Sequence, residues 1–225
     1  LAAFGATWVW RALPDGVRPP PLSLQAWREV LTHPVLMSMV AVTALSGAGQ
    51  FTLFAYFAPY YRQVLNADAS TISLLFAWFG AFGLTGNVLL SRHVDRIGAG
   101  RAVNWLLAGV TLSAILWPWA TSPGQMMVII LPWAIGCFAS NSAQQARLGT
   151  AAPALAPGLL ALNTSAIYLG QAFGAAGGGA MMAANQLAGD PPFAGLHHVA
   201  VAWLLAAVCL SVWAGRSLAR RGHHA

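Results

Sequence analysis

Charge is what this chain has least of. Only 7% of its 225 residues are Asp, Glu, Lys or Arg, and lysine is absent, so all eleven basic side chains are arginine. With 58% hydrophobic residues and a mean hydropathy of +0.64, the chain carries more apolar surface than a soluble domain of this size buries. That excludes an ordinary water-soluble module and points to the bilayer as solvent. Cysteine is also scarce. Cys137 and Cys209 each sit inside a long apolar run with no CxxC spacing, which excludes a disulfide framework and a zinc site. The six histidines, His33, His93, His197, His198, His223 and His224, all fall at edges or tails. No metal and no other cofactor is therefore expected. Nor do the apolar runs offer the nucleophile with a base, or the ligand set, that a membrane enzyme would need, so the chain reads as no enzyme. The formal charge of +6 does not imply nucleic acid as a partner, because the arginines lie between apolar runs and make no continuous basic face.

What is present is a set of long uncharged runs. A spanning helix needs roughly 20 mainly apolar residues to cross a core about 30 Å thick. Six runs qualify, at approximately 35–61, 71–91, 102–121, 125–146, 158–184 and 199–215, and none contains Asp, Glu, Lys, Arg or His. They are apolar on all faces, unlike the alternating strands of a membrane barrel. The fold class is all-α membrane protein with six transmembrane helices.

The first residues, LAAFGATWVWRA, form an apolar stretch that ends at Arg11. A signal peptide carries its positive charge ahead of the apolar run, not behind it. Residues 1–13 therefore read as the end of a preceding transmembrane helix. Pro14, Pro19, Pro20 and Pro21, with Gly16, make an extended linker, and SLQAWREVLTHP reads as an amphipathic segment with Trp27 and Leu31 on one side. Residues 14–33 are thus a linker, 34–217 a six-helix bundle and 218–225 a tail.

Threading the chain back and forth places Arg11, Arg18, Arg28, Arg92, Arg96, Arg101, Arg147, Arg216, Arg220 and Arg221 on one side and only Arg62 on the other. The positive-inside rule makes the first side cytoplasmic, the C-terminus included. The charged stretch SRHVDRIGAGR is then a short cytoplasmic loop between the second and third spans.

Within GNVLLSRHVDRIGAGRAV, residues 86–103, Asp95, Arg96, Gly98 and Arg101 resemble the loop signature G-x-x-x-D-R-x-G-R-R of the major facilitator superfamily, in the copy found in its C-terminal half. Ala99 and Gly100 depart from it where a basic residue is common. The resemblance implies a conformational lock: Asp95 accepts backbone N–H groups at a helix start and pairs with arginine across the two halves. Residues 150–182 are similar to the penultimate helix of bacterial drug- and sugar-efflux members, through Asn163, Ala166, Leu169, Gly170, Ala172, Gly174, Ala175, Gly178 and Gly179, with Gln171 in place of an asparagine. Together these resemblances identify the chain as the C-terminal six-helix half of a twelve-helix proton antiporter in a bacterial inner membrane. The partners implied are the lipid bilayer, a small-molecule substrate, an N-terminal six-helix half of the same protein and the proton as coupling ion.

Two small-residue stripes support close helix packing: Gly170, Gly174 and Gly178 on the fifth span, and Gly80, Gly83 and Gly86 on the second. With no ionisable side chain inside the runs, the proton-coupling residue is expected in the other half. The candidate cavity is polar and aromatic. Thr43, Gly47, Gln50, Phe54 and Phe57 recur at helical spacing on the first span, Trp133, Ser140, Asn141 and Gln144 lie on the fourth, and Asn163, Tyr168 and Gln171 on the fifth. The family architecture implies that these line a central cavity; interhelical hydrogen bonding is the alternative use of the same groups. Pro132 should kink the fourth span one turn earlier. The functional expectation is secondary export of a neutral or amphipathic, drug-like or sugar-like molecule. The alternative is a non-transporting scaffold or sensor derived from a half-transporter.

The orientation is directly testable. With Cys137 and Cys209 replaced by alanine, single cysteines at Asn66 or Gly189 should react with an impermeant thiol reagent added outside intact cells, and one at Gly222 should not. The reverse labelling pattern would refute the orientation drawn from the arginines.

Overall fold

The computed structural model describes residues 2–12 and 23–222. The linker residues Pro14, Gly16, Arg18, Pro19, Pro20 and Pro21, and the tail histidines His223 and His224, lie outside the described residues. Ten α-helices follow one another: α1 (Ala2–Ala12), α2 (Leu24–Thr32), α3 (Pro34–Phe54), α4 (Phe57–Gln63), α5 (Ala69–Ile97), α6 (Ala99–Leu116), α7 (Pro123–Ile129), α8 (Leu131–Ala151), α9 (Ala156–Ala188) and α10 (Leu196–Gly222). Short 3₁₀ turns at Trp117–Trp119 and Pro153–Leu155 complete the order, and no strand occurs among the described residues.

Among the described residues, five stretches are long and apolar enough to cross a membrane: Pro34–Gln63, Ala69–Ile97, Ala99–Trp119, Pro123–Ala151 and Leu196–Arg220. The sixth expected span falls in α9, whose 33 residues reach about 50 Å at 1.5 Å per residue. Helix α9 carries no charge, but its glycines and amides dilute its hydropathy below that of the other five.

Proline decides where two spans break. The first is interrupted at Ala55–Tyr56, where the Tyr56 N–H bonds back to the Leu53 carbonyl (2.9 Å). Pro59, one turn later, has no N–H to continue the ladder to residue 55. The fourth, expected to kink one turn before Pro132, instead breaks at Ile130, and Pro132 occupies the first turn of α8. The stretch expected as a loop at 91–101 is instead mostly helix. Helix α5 runs through Asp95 and Arg96 to Ile97, and Gly98 alone, at φ +87°, turns the chain into α6. That backbone angle suits a residue without a Cβ. At the other end of α5, Asp68 caps the helix. Hydrogen bonds from Thr71, at 2.8 Å from its backbone N–H, and from Ser70 hold the Asp68 carboxyl below the usual carboxylate range.

Helix α2 buries Val30, with Ala26 and Trp27 beside it, against α3 and α9, while Leu31 is exposed. Its inward face is therefore one residue displaced from the Trp27–Leu31 side expected from the sequence. Helix α1 exposes all of its described side chains.

In the bundle α3 lies between α9 and α10, α8 lies between α5 and α6, and α10 joins the two groups through α6. The α3–α9 contact is set by missing side chains. A Cβ on Gly170 or Gly174 would overlap the carbonyl of Ala44 or Ala48, and one on Gly178 would stand 2.8 Å from the Thr52 oxygen. On α5, Gly83 meets the Phe138 ring and Gly86 the Ile135 carbonyl of α8, whereas Gly80 faces open space. The stripe on α5 is therefore two glycines deep, not three.

These contacts predict a graded mutational response. Gly174→Leu and Gly86→Leu should each abolish or cut several-fold the monodisperse protein recovered from membranes, because overpacking against backbone costs about 1–3 kcal/mol or more. Gly80→Ala should leave recovery unchanged. Fluorescence-detected size-exclusion chromatography reads all three.

Candidate functional site

Between α3, α8 and α9 the bundle opens a cleft of about 170 Å³, lined by Thr43, Gly47, Gln50, Phe51, Phe54, Trp133, Cys137, Phe138, Asn141, Ile167 and Gln171. None of these side chains is charged. Gly47 stands close enough to α9 that its Cβ would meet the Ile167 carbonyl at 3.3 Å, so it brings the two walls together.

Gln50 is the organising polar group. Its Oε1 accepts from Trp133 Nε1 (3.0 Å) and its Nε2 donates to Ser46 Oγ (3.0 Å), so both ends of the amide are fixed. Trp133 is fully buried, and its backbone N–H donates to Ser113 Oγ on α6 (3.1 Å). That bond satisfies a donor at the uncapped start of α8. Asn141 and Gln171 are half-buried in the same cleft, and no hydrogen bond ties down either side-chain amide among the described residues.

Of the residues the sequence selected, Gln50, Phe54, Trp133, Asn141 and Gln171 come together here. Phe57 lies elsewhere: the break at Ala55–Tyr56 turns it into a cluster of rings, stacked on Trp117 at 4.8 Å and edge-on to Trp133 at 5.1 Å. Ser140 faces a separate void of about 10 Å³ with Ser46 and Gln144, and its hydroxyl donates to the Cys137 carbonyl (3.2 Å). Asn163 is completely buried. Its Oδ1 accepts from Thr43 Oγ1 (2.6 Å), while its Nδ2 has no partner among the described residues. Tyr168 is 67% exposed on the flank of α9, with Leu169 and Phe173 also exposed.

Phe51, Cys137, Phe138 and Ile167 line the cleft without having been selected. Spacing could have found two of them, Phe51 and Cys137: Gly47, Gln50, Phe51 and Phe54 follow the i, i+3, i+4, i+7 pattern, and Trp133, Cys137 and Asn141 recur every four residues.

The residues that the family resemblance offers as a lock gather at the arginine-bearing end of the bundle. Asp95 is exposed on the last turn of α5 and does not cap α6, whose start at Gly98 has no side-chain cap. With Arg96, Gly98 and Arg101 it lines a larger cavity that also contains Arg147. The sequence placed Arg147 among the cytoplasmic arginines just beyond the fourth span. It is in fact 5% exposed within α8, where Nη1 donates to Ser211 Oγ (2.8 Å) and Nη2 to the Ser211 carbonyl (2.9 Å).

Comparison with known proteins follows the same lines. The Inner membrane transport protein YdhP of Escherichia coli (strain K12) is 28% identical over 157 residues, covering 69% of this chain and 40% of that protein. The Transcription regulatory protein OpdE of Pseudomonas aeruginosa is 30% identical over 100 residues, 43% of this chain and 25% of that one. The Purine ribonucleoside efflux pump NepI of Salmonella paratyphi B is 26% identical over 132 residues, 57% of this chain and 32% of that pump. The chain thus spans well under half the length of the curated relatives it matches. A family profile described as Major Facilitator Superfamily matches residues 1–178. Long apolar helices packed through glycine, an uncharged cleft between them and a profile match over most of the sequence agree: this membrane protein belongs to the Major Facilitator Superfamily.

Proposed function

We propose that this chain is the C-terminal six-helix half of a twelve-helix secondary transporter, and that it forms one wall of a central site exporting a neutral or amphipathic small molecule by alternating access. The observation that carries this reading is the cleft itself. Its amides and rings offer hydrogen bonds and apolar contact, and no charge in it would pair with a phosphate or carboxylate cargo. At about 170 Å³ it is smaller than the roughly 300–1,000 Å³ of sites for drug-sized ligands, as a single wall would be. Asn141 and Gln171, untied among the described residues, are the groups available to a cargo. Gln50 is a positioning group, held by Trp133.

In this reading the proton is carried by the N-terminal six-helix half, because no carboxylate lines the cleft. Asp95 and Arg101 meet that half at the cytoplasmic face, where breaking and remaking the contact sets the direction of opening. The membrane is a bacterial inner membrane with the C-terminus cytoplasmic. The cargo is drug-like or sugar-like, and the printed name of one relative adds purine ribonucleosides to the compounds worth testing.

The test compares efflux-deficient bacteria expressing this chain alone and together with an N-terminal six-helix half encoded ahead of it, across a panel of labelled dyes, sugars and nucleosides. Export is expected only from the pair. Gln171→Ala and Asn141→Ala should shift the relative export of panel compounds by about fivefold, the worth of one hydrogen bond, with abundance on immunoblots unchanged. Asp95→Asn should insert normally and slow export of every compound alike. If the pair folds and exports nothing, or if the cleft substitutions change only abundance, a scaffold or sensor role replaces transport.

A further inference from the structure

Arg147 is a cation in the wrong place for a loop residue and, among the described residues, without the carboxylate partner a buried charge calls for. It sits on the inner face of α8 with Ala139, Ser140, Ala143, Gln144 and Leu148, and is 5% exposed. Its two hydrogen bonds both go to Ser211 of α10, whose hydroxyl is in turn donated to Asn104 Oδ1 of α6 (2.5 Å). A guanidinium has five N–H donors. Two are used, both on neutral acceptors, and no carboxylate of the described residues lies within 4 Å of it. Arginine does not escape this by losing its proton. A charge held at this depth by neutral acceptors alone is only partly compensated, so its remaining N–H groups, which border a cavity, favour an anion there.

The surroundings are shaped to admit one. Arg147 lines a cavity of about 800 Å³ at the junction of α5, α6, α8 and α10, together with Asp95, Arg96, Arg101 and Arg216. Four arginines against one aspartate leave that lining net positive. The three rim arginines are exposed and extend from three different helices, so they can close on a ligand without leaving their helices. Gly100 and Gly215 border the guanidinium, where a Cβ would stand 3.5 Å from its Nε and 3.3 Å from Nη2. The start of α6, with no side chain capping it, adds backbone N–H groups to the same wall.

We propose that this cavity is a binding site for a phosphate-type oxyanion, with Arg147 at its floor and Arg101 and Arg216 at its rim. The proposal does not rest on the cargo cleft; the cavity lining shares Asp95, Arg96, Gly98 and Arg101 with the proposed lock, and lipid binding to the purified chain is read separately from export. The cavity lies where the helices that carry the arginines end, which is the depth of a phospholipid headgroup. The same chemistry would equally take free phosphate, and the experiment separates the two sources.

The whole chain, purified in a neutral detergent, is titrated with dioleoylphosphatidylglycerol, with the zwitterionic phosphatidylcholine, and with inorganic phosphate. Bound lipid is counted by native mass spectrometry and stability is followed by thermal melting. Saturable binding and a raised melting temperature with phosphatidylglycerol but not phosphatidylcholine are expected, weakening as salt is added. Phosphate that protects alone and competes with the lipid would make the source soluble while keeping the site. Arg101→Gln and Arg216→Gln, both at exposed positions that leave the fold intact, should each weaken binding about fivefold. Arg147→Lys, which keeps a charge but loses the planar fork, should weaken it further. Asp95→Asn should tighten it. Equal effects of the two lipids, no response to either anion, full binding in the Arg101/Arg216 double variant, or loss of binding in Asp95→Asn would each overturn the proposal.

Discussion

The backbone-to-backbone contact of α3 and α9 is the constraint on which the rest of this bundle rests. Where apolar lipid gives helices no hydrophobic reason to associate, contact area and hydrogen bonds must do so. The carbonyls of Ala44 and Ala48 occupy the space that side chains at Gly170 and Gly174 would take. At that separation Thr43 reaches Asn163 at 2.6 Å and Tyr56 reaches the Ala175 carbonyl at 2.5 Å. The same approach places Gln171 opposite Gln50, which creates one side of the cleft. A wider contact would leave those polar groups unpartnered in a medium without water to accept them.

The second group of helices is joined to the first by a few polar links placed at different depths. Trp133 donates to Gln50 near the cleft, Gln144 Nε2 donates to the Met39 carbonyl at 2.5 Å, and Arg147 grips Ser211 near the arginine-bearing end. All three come from one face of α8, three to fourteen residues apart. This helix therefore acts as the rod that fixes the relative height of α3 and α10. Its glycine contacts with α5 and α6, at Gly86 and Gly136, keep it close to the remaining helices.

Much of this was legible in the sequence because a helix in lipid has few ways to hide a polar residue. Uncharged runs gave the spans, the four-residue glycine repeat gave the α9 interface, and helical spacing gave the shared face of Gln50 on the first span, whereas the cleft positions of Asn141 and Gln171 were implied by the family resemblance. The same glycine face, followed through, also says where Tyr168 must go. Two residues before Gly170 it lies about 200° around the helix, away from α3. Phe57 was not legible, since the break that turns it depends on how Pro59 and the ring cluster settle together. Arg147 was misplaced because a rule about loop charge treats every arginine near a span end as solvated. Its phase with Ala143 and Gln144 held the contrary signal.

The two ends of the bundle are built of different material. At the arginine end α5, α6, α8, α9 and α10 are long and unbroken, and each can hold its shape along its length. At the opposite end the walls are α4 and α7, seven residues each, with a 3₁₀ turn between Trp117 and Trp119. Helices of seven residues have no stability of their own in isolation. They owe their order to the packed rings of Phe57, Tyr60, Tyr61, Trp117 and Trp133, which in turn need those helices to stay in place. Order there is mutual: the short helices hold the rings in place, and the rings hold the short helices, so no part of this end stands without the rest.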